Sequence, residues 1–378
     1  MRLLKIFSVV IGLLLLLFPQ NMKAQHGIHL QRLIKEEVTI NFFGSPTNGN
    51  QHNQNSTKPY WQDVQTVAVN KEYPRTSFMT FDSRHDALSR KFEESQFYQS
   101  LNGVWKFYFV EGYNELPANI TDPAVSTANW NDITVPGNWE MQGFGVPIYT
   151  NHGYEFKPRD PQPPTLPEMN PVGVYRRDID IPSEWMNRDI FLHVGGAKSG
   201  MYVYINGKEV GYSEDSKNPA EFLINDYVKP GKNTLVLKIF RWSTGSYLEC
   251  QDFWRISGIE RDVYLWAQPK IRVRDFAVTS NLDDTYKKGI FGLKTQIKNN
   301  TEGKADIEIR YELVDANNQV IASDRQTVSL SSEKETSLFQ TKPSYLVPRI
   351  LQAPFEKRFV IKTQNKFQDN ELFQSSFH

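Results

Sequence analysis

The alternation of apolar and polar residues between Met201 and Val263 constrains this chain more than any other stretch. Met201, Val203 and Ile205 alternate with Tyr202 and Tyr204, the period of two that marks a half-buried strand. Asn206-Gly207 then offers the positive φ angles of a tight hairpin turn. After a Pro230-Gly231 turn, Leu235, Leu237 and Ile239 alternate with Val236, Lys238 and Phe240, which predicts a second strong strand. Between the two lies Ser213-Glu214-Asp215-Ser216-Lys217. None of these residues serves an apolar core, so the spacing predicts a loop carried by a rigid scaffold, where binding groups tend to sit.

The same texture runs through most of the chain. No segment of about 12 residues or more between the first aromatic strand and Gln268 keeps a helical period. Leu101 to Phe109 reads as a turn followed by an aromatic strand, and Gly173–Ile181 and Ile190–Val194 alternate as strands. Pro158 to Pro171 holds six prolines, which predicts an irregular extended loop. These features imply an all-β fold, a jelly-roll β-sandwich over residues 58–267. Pro269 ends its last strand. From Ile271 onward shorter strands follow at regular spacing: Arg272–Ser280, Ile290–Lys298, Ala305–Leu313, Gln319–Ala322 and Thr327–Leu330. With their Asn, Asp and Gly turns they predict an immunoglobulin-like β-sandwich over residues 268–378.

The chain's 378 residues suffice for two or three separate cores. Lys plus Arg and Asp plus Glu are 43 each, so the charge balance gives no electrostatic case for nucleic acid or an anionic membrane. Aromatics reach 13%, which fits all-β and carbohydrate-binding proteins. The lone cysteine, Cys250, rules out an internal disulfide. It is expected to be a buried or tolerated thiol rather than a nucleophile.

Residues 1–24 resemble a secretory signal: Arg2 and Lys5, an apolar run from Ile6 to Phe18, and Ala24 near the expected cut. The run is short for a bilayer, so no stable membrane span is expected after cleavage, and the protein is expected to be exported, periplasmic or extracellular. An uncleaved anchor is the alternative. Residues 25–57, ending in the polar stretch from Gly44, read as a flexible linker.

Several motifs carry a resemblance to a known family. Tyr212-Ser-Glu-Asp-Ser216, the run Phe240 to Glu249 and the run Gln251 to Leu265 resemble the N-terminal, sugar-binding part of the large β-galactosidases of glycoside hydrolase family 2. Leu101–Phe109, Ile133–Glu140 and Val146–Asn151 extend the likeness, and the family has an immunoglobulin-like domain next. The resemblance implies roles for two residues. Asn151, in Tyr149-Thr150-Asn151, would reach galactosyl hydroxyls, since an amide both donates and accepts. Asp215 would do the same and would also ligate sodium, since a carboxylate is a hard oxygen ligand. The alternative is that Asn151 is a turn residue and Asp215 a turn or cap.

Hydrolysis of a glycoside normally needs two facing carboxyl groups. In that family both come from a (β/α)8 barrel, and neither the barrel's catalytic motifs nor its magnesium ligands have a counterpart in this sequence. No catalytic residue and no cofactor of this chain are therefore expected. Sodium and magnesium belong to the complete enzyme, and a separate barrel-bearing chain is one partner the resemblance allows. Tyr345 to Gln352 stands where the family has a Trp-Ser-Pro-Glu-like run, which suggests a frameshift near Tyr345 that costs the second domain its last strand.

Two readings remain open for Trp242, Tyr247, Phe253 and Trp254: packing under the domain edge, or a platform for sugar rings. Glu249 and Asp252 beside them are expected to pair with Arg241, Arg255 or Arg261. The seven histidines form no zinc motif. The expected function is the galactose-binding, N-terminal portion of a β-galactosidase acting on β-galactosides. Alternatives are a lectin-like carbohydrate-binding protein and a β-glucuronidase or β-mannosidase relative.

Overall fold

The computed structural model describes residues 58–157, 159–286, 289–315, 317 and 319–332. It also describes the backbone strands Thr336–Gln340, Ser344–Leu346, Arg358–Asn365 and Glu371–Phe377. The expected leader over 1–24 and linker over 25–57 lie outside these residues. Among the described residues no helix is long and apolar enough to cross a membrane.

The first sandwich is built on a seven-stranded antiparallel sheet. Its order is Ala68–Val69, Lys208–Ser213, Gly200–Ile205, Gly231–Phe240, Val172–Ile181, Gly103–Val110 and Asn131–Val135. A four-stranded sheet faces it, ordered Ala220–Leu223, Asp189–Val194, Val263–Gln268 and Tyr98–Ser100. The predicted hairpin is present: Ile205 pairs with Lys208, and Asn206 and Gly207 take φ of 53° and 79°. The period of two decides the sides. Met201, Val203, Ile205, Leu235, Leu237 and Ile239 all enter the core between the two sheets, with Trp105, Phe107, Tyr175, Leu192 and Leu265.

The alternate residues are not left in water. Tyr202, Tyr212, Val236, Phe240, Val172 and Val174 form a second apolar layer with Trp61 and Trp130 on the other face. Trp61 stacks on Phe240 at 4.8 Å. Lys238, on the same face, lies 4.6 Å from the Tyr202 ring and 5.3 Å from that of Tyr204. Its apolar stem covers the rings while its charge meets their negative faces.

The four-stranded sheet is likewise buried on both sides. Leu192, Val263 and Leu265 face the first core. Phe191 and Trp266, their chain neighbours, face a second core with Phe78, Phe81, Val273, Phe276, Phe291, Ile309 and Tyr311. That core belongs to the second sandwich. One of its sheets carries Ile271–Leu282, Gly289–Asn299 and Thr336–Gln340, and Ser344–Leu346 pairs with the start of Gly289–Asn299. The other is ordered Met79–Phe81, Glu371–Phe377, Arg358–Asn365, Ala305–Val314 and Val320–Leu330.

Three details differ from the sequence reading. Met79–Phe81 pairs with Glu371–Phe377, and the short helix Arg84–Ser89 packs Ala87 and Leu88 into the second core. Residues 79–89 thus serve the second sandwich although they lie inside the 58–267 stretch. Periodicity cannot say which sheet a three-residue strand will join. Next, the expected strands Gln319–Ala322 and Thr327–Leu330 are one continuous strand, Val320–Leu330. Its polar middle, Asp324 to Gln326, is exposed on a sheet edge, where charge is tolerated and even protective. Last, the chain beyond Tyr345 supplies two paired strands to that same sheet, Arg358–Asn365 and Glu371–Phe377, where the loss of the last strand was expected.

Candidate functional site

Asp215 sits on a loop that two neighbouring carboxyl groups hold in place. Glu214 is buried, and its backbone N–H donates to Val67 O at 2.9 Å. Its carboxyl group accepts from Tyr212 Oη at 2.7 Å, from Thr244 Oγ1 at 3.1 Å and from the Gly245 N–H at 2.6 Å. Burial pushes this group up to about 7, against the pull of those hydrogen bonds, and the charge of Glu249 adds to the rise. A Cβ on Gly245 would stand 2.8 Å from Glu214 Oε2, so a larger residue there would displace that carboxyl group. On the other side of Asp215, Glu249 accepts from the Ser216 N–H at 2.8 Å and from Ser216 Oγ at 2.5 Å.

Between these anchors Asp215 is turned outward. It takes a φ of 74°, a left-handed conformation that Asp and Asn tolerate better than most residues. Its side chain is exposed, and both carboxylate oxygens accept from Asn218 Nδ2, at 3.1 and 2.9 Å. Lys71 lies close enough to feel Asp215 and Glu249. Burial lowers its pKa, and those two charges act in the opposite sense. Buried Lys198 is likewise lowered chiefly by burial, with Glu155 countering and Lys217 and Arg255 adding to the fall.

Asn151 follows the strand Ile148–Thr150, which pairs with Phe253–Arg255 as a two-stranded ribbon. The residue is exposed, and its Oδ1 accepts from His152 Nδ1 at 2.7 Å. The ribbon is anchored at its buried end. Arg255 is 3% exposed and lies 3.5 Å from Glu155, while its carbonyl accepts from Arg241 Nη2 at 3.2 Å. Arg241 Nη2 also donates to Val146 O at 2.9 Å and lies 3.7 Å from Glu140, whose other oxygen accepts from the Ser257 N–H at 2.7 Å. Both candidate residues are therefore tied to the segment Arg241–Arg255, Asp215 through Glu249 and Asn151 through the ribbon.

The aromatic residues of that segment divide. Trp242 is buried, packs on Phe156 and donates from Nε1 to Glu155 at 2.8 Å. Tyr247 packs between Tyr154 and Phe156 and donates to Thr165 O at 2.5 Å. Phe253 and Trp254 stay exposed, at 59% and 50%. Among the described residues Glu249 and Asp252 take no arginine partner. They accept from Ser216 and from Tyr149 Oη, the latter at 2.8 Å, which corrects the expected pairings with Arg241, Arg255 or Arg261. Sequence reasoning missed Glu214, Glu155 and Lys198. A buried charge leaves no periodic signal, and only the hydrophobic neighbours Tyr212 and Trp242 hinted at their setting.

As a cation site the loop is incomplete. Among the described residues no group of three or more His, Cys, Asp or Glu side chains comes together, and Asp215 already accepts from Asn218 with both oxygens. The buried acids are likewise committed to structure. Asp63, Glu140, Asp189, Glu214, Glu221 and Glu312 each bond a neighbouring hydroxyl, N–H or cationic group. A separate cavity of about 350 Å³ at the Asn131–Val135 edge is lined by Val104, Lys106, Asp132, Arg176 and Asp178 among others. There Asp132 pairs with Lys106 at 2.7 Å.

Two β-sandwiches, with an acidic loop and a two-stranded ribbon beside the first, define an all-β protein. Residues 98–269 match the sugar binding domain of the glycosyl hydrolases family 2, and residues 271–353 match a second domain of that family. The chain belongs to glycosyl hydrolase family 2. A β-galactosidase of Priestia megaterium is 39% identical over 286 residues, which are 74% of this chain and 28% of the relative. One from Halalkalibacterium halodurans is 36% identical over 300 residues, 77% of this chain and 29% of the relative. The chain thus spans less than a third of the length of these relatives. A Bacteroides uniformis β-glucuronidase superposes with a TM-score of 0.59 at 21% identity, over 74% of this chain and 32% of that one, a likeness of fold.

Proposed function

We propose that this chain is the N-terminal portion of a β-galactosidase and forms part of the wall of its galactose pocket. The complete protein would hydrolyse terminal non-reducing β-D-galactose residues. The observation that carries this reading is the 39% identity to a β-galactosidase over 286 residues, together with the presentation of Asp215 and Asn151. Asp215 offers a carboxylate to galactosyl hydroxyls, which bond it more strongly than a neutral acceptor. Asn151 adds an amide that donates and accepts. The buried acids of the described residues are bound to structural partners, so this chain contributes recognition, and the proton-transferring pair comes from a barrel. That barrel belongs to the complete protein or to a separate chain. Sodium at Asp215 would take its remaining ligands from beyond these residues, and magnesium would bind elsewhere in the complete enzyme. The first 24 residues would export the protein to the periplasm or the outside.

The test is release of nitrophenol from a β-galactoside by the purified chain. No turnover is expected. Turnover abolished by changing a carboxylate of this chain would overturn the proposal. The second reading, a lectin-like protein, is favoured by the exposed aromatics of the ribbon, and the measurements below separate it.

A further inference from the structure

We propose that Tyr149 and Trp254 form a platform on which a pyranose ring stacks, beside the galactose that Asn151 and Asp215 would hold. The inference rests on the galactoside reading and extends it to the next ring of a disaccharide.

The two rings are a cross-strand pair in the ribbon, with centroids 5.6 Å apart and planes at 61°. They are 55% and 50% exposed. Both are nonetheless held still. Tyr149 donates its hydroxyl proton to Asp252, and the strand carrying Trp254 ends on buried Arg255. Exposed aromatic rings in a fixed mutual geometry leave apolar area in water that a ligand would cover. Rigid Tyr and Trp side chains supply contact area at low entropic cost.

The chemistry of the face selects the occupant. Asp252 accepts from Tyr149 Oη and so borders the pair, and Asn151 follows the strand two residues beyond Tyr149. Phe253 lies on the opposite face. The platform therefore presents two aromatic rings bordered by an amide, a carboxylate and a phenol. Such a mixture suits a sugar, which has C–H groups on one face and hydroxyls around its rim. Asn151 is two residues along the chain from Tyr149, at most about 7 Å, so one ligand with two linked rings can touch both.

The experiment is a titration of the full chain with methyl β-D-galactoside and with lactose. Heat is read by calorimetry, and the Trp254 indole N–H by NMR, assigned by its loss in Trp254→Phe. Lactose should bind more tightly than the methyl galactoside and shift that resonance. Trp254→Ala should weaken lactose by about 10-fold, the worth of one aromatic stacking contact. It should leave the methyl galactoside and the melting temperature unchanged, and Trp254→Tyr should keep most of the lactose affinity. A silent indole resonance, or lactose affinity unaltered in Trp254→Ala, overturns the platform. A change in sedimentation with no change in sugar binding also overturns it and marks the face as a protein contact. A platform that answers to cellobiose as well as to lactose, with Asp215→Asn leaving both unchanged, sinks the galactoside reading alone.

Discussion

Arg75 and Glu221, 146 residues apart, form a buried two-pronged ion pair, Nε to Oε2 at 2.9 Å and Nη2 to Oε1 at 2.7 Å. His193 Nδ1 lies 2.8 Å from the same carboxylate. The guanidinium rests 4.1 Å from the Trp266 ring and 4.6 Å from that of Phe78. Trp266 and Phe78 belong to the second core, whereas Glu221 stands on a strand of the first sandwich. The pair thus pins the strap that carries Phe78 and Met79 against the sheet the two sandwiches share. Glu221→Ala should cost about 3–5 kcal/mol, because it strands a buried guanidinium. Urea unfolding measures it.

The same pair sets an acid limit. Burial opposes ionisation of Glu221, but Arg75 and His193 outweigh it and hold the carboxyl well below the usual carboxylate range. A depressed pKa adds stability that is fully present above the unfolded value of about 4.3 and is lost as pH falls toward the folded value. The urea midpoint of the wild type should therefore drop below about pH 4.5 more steeply than that of Glu221→Gln. Parallel curves would show that the pair contributes nothing to acid sensitivity.

Glu214 should be worth more as a hydrogen-bond acceptor than as a charge. Glu214→Ala leaves Tyr212 Oη, Thr244 Oγ1 and the Gly245 N–H without their acceptor inside the fold. Its cost should reach about 2–4 kcal/mol, and that of Glu214→Gln less than half as much. Equal losses in thermal melts would contradict this.

Gly173 tests the packing of the first core. A Cβ there would meet Trp139 at 2.6 Å and Phe107 at 2.7 Å, and both rings are fully buried. Gly173→Ala should cost about 1–3 kcal/mol through overpacking. A neutral melt would mean that these rings move aside.

Asp215 should behave in the opposite way. It is exposed, and Asn keeps both the bond to Asn218 and the tolerance for positive φ. Asp215→Asn should change stability by under about 0.5 kcal/mol and weaken the response to methyl β-D-galactoside by calorimetry. A large stability loss would assign the residue to the scaffold.

Much of this molecule is written in local pattern. Alternation in Met201–Ile205 and Leu235–Ile239 fixes two central strands and the sides their residues face, because successive side chains of a strand must oppose one another. Asn206-Gly207 fixes the hairpin, because few residues accept its backbone angles. The motif around Asp215 marks the exposed loop.

What alternation cannot state is what covers each side. Only the tertiary structure buries Tyr202 and Val236 as well as Val203 and Leu237, sends Met79–Phe81 to the second sandwich, and turns Glu249 to Ser216 and Asp252 to Tyr149. The physical reason is range: a period of two is a property of neighbours along the chain, whereas partners such as Arg75 and Glu221 meet only after both sheets have closed.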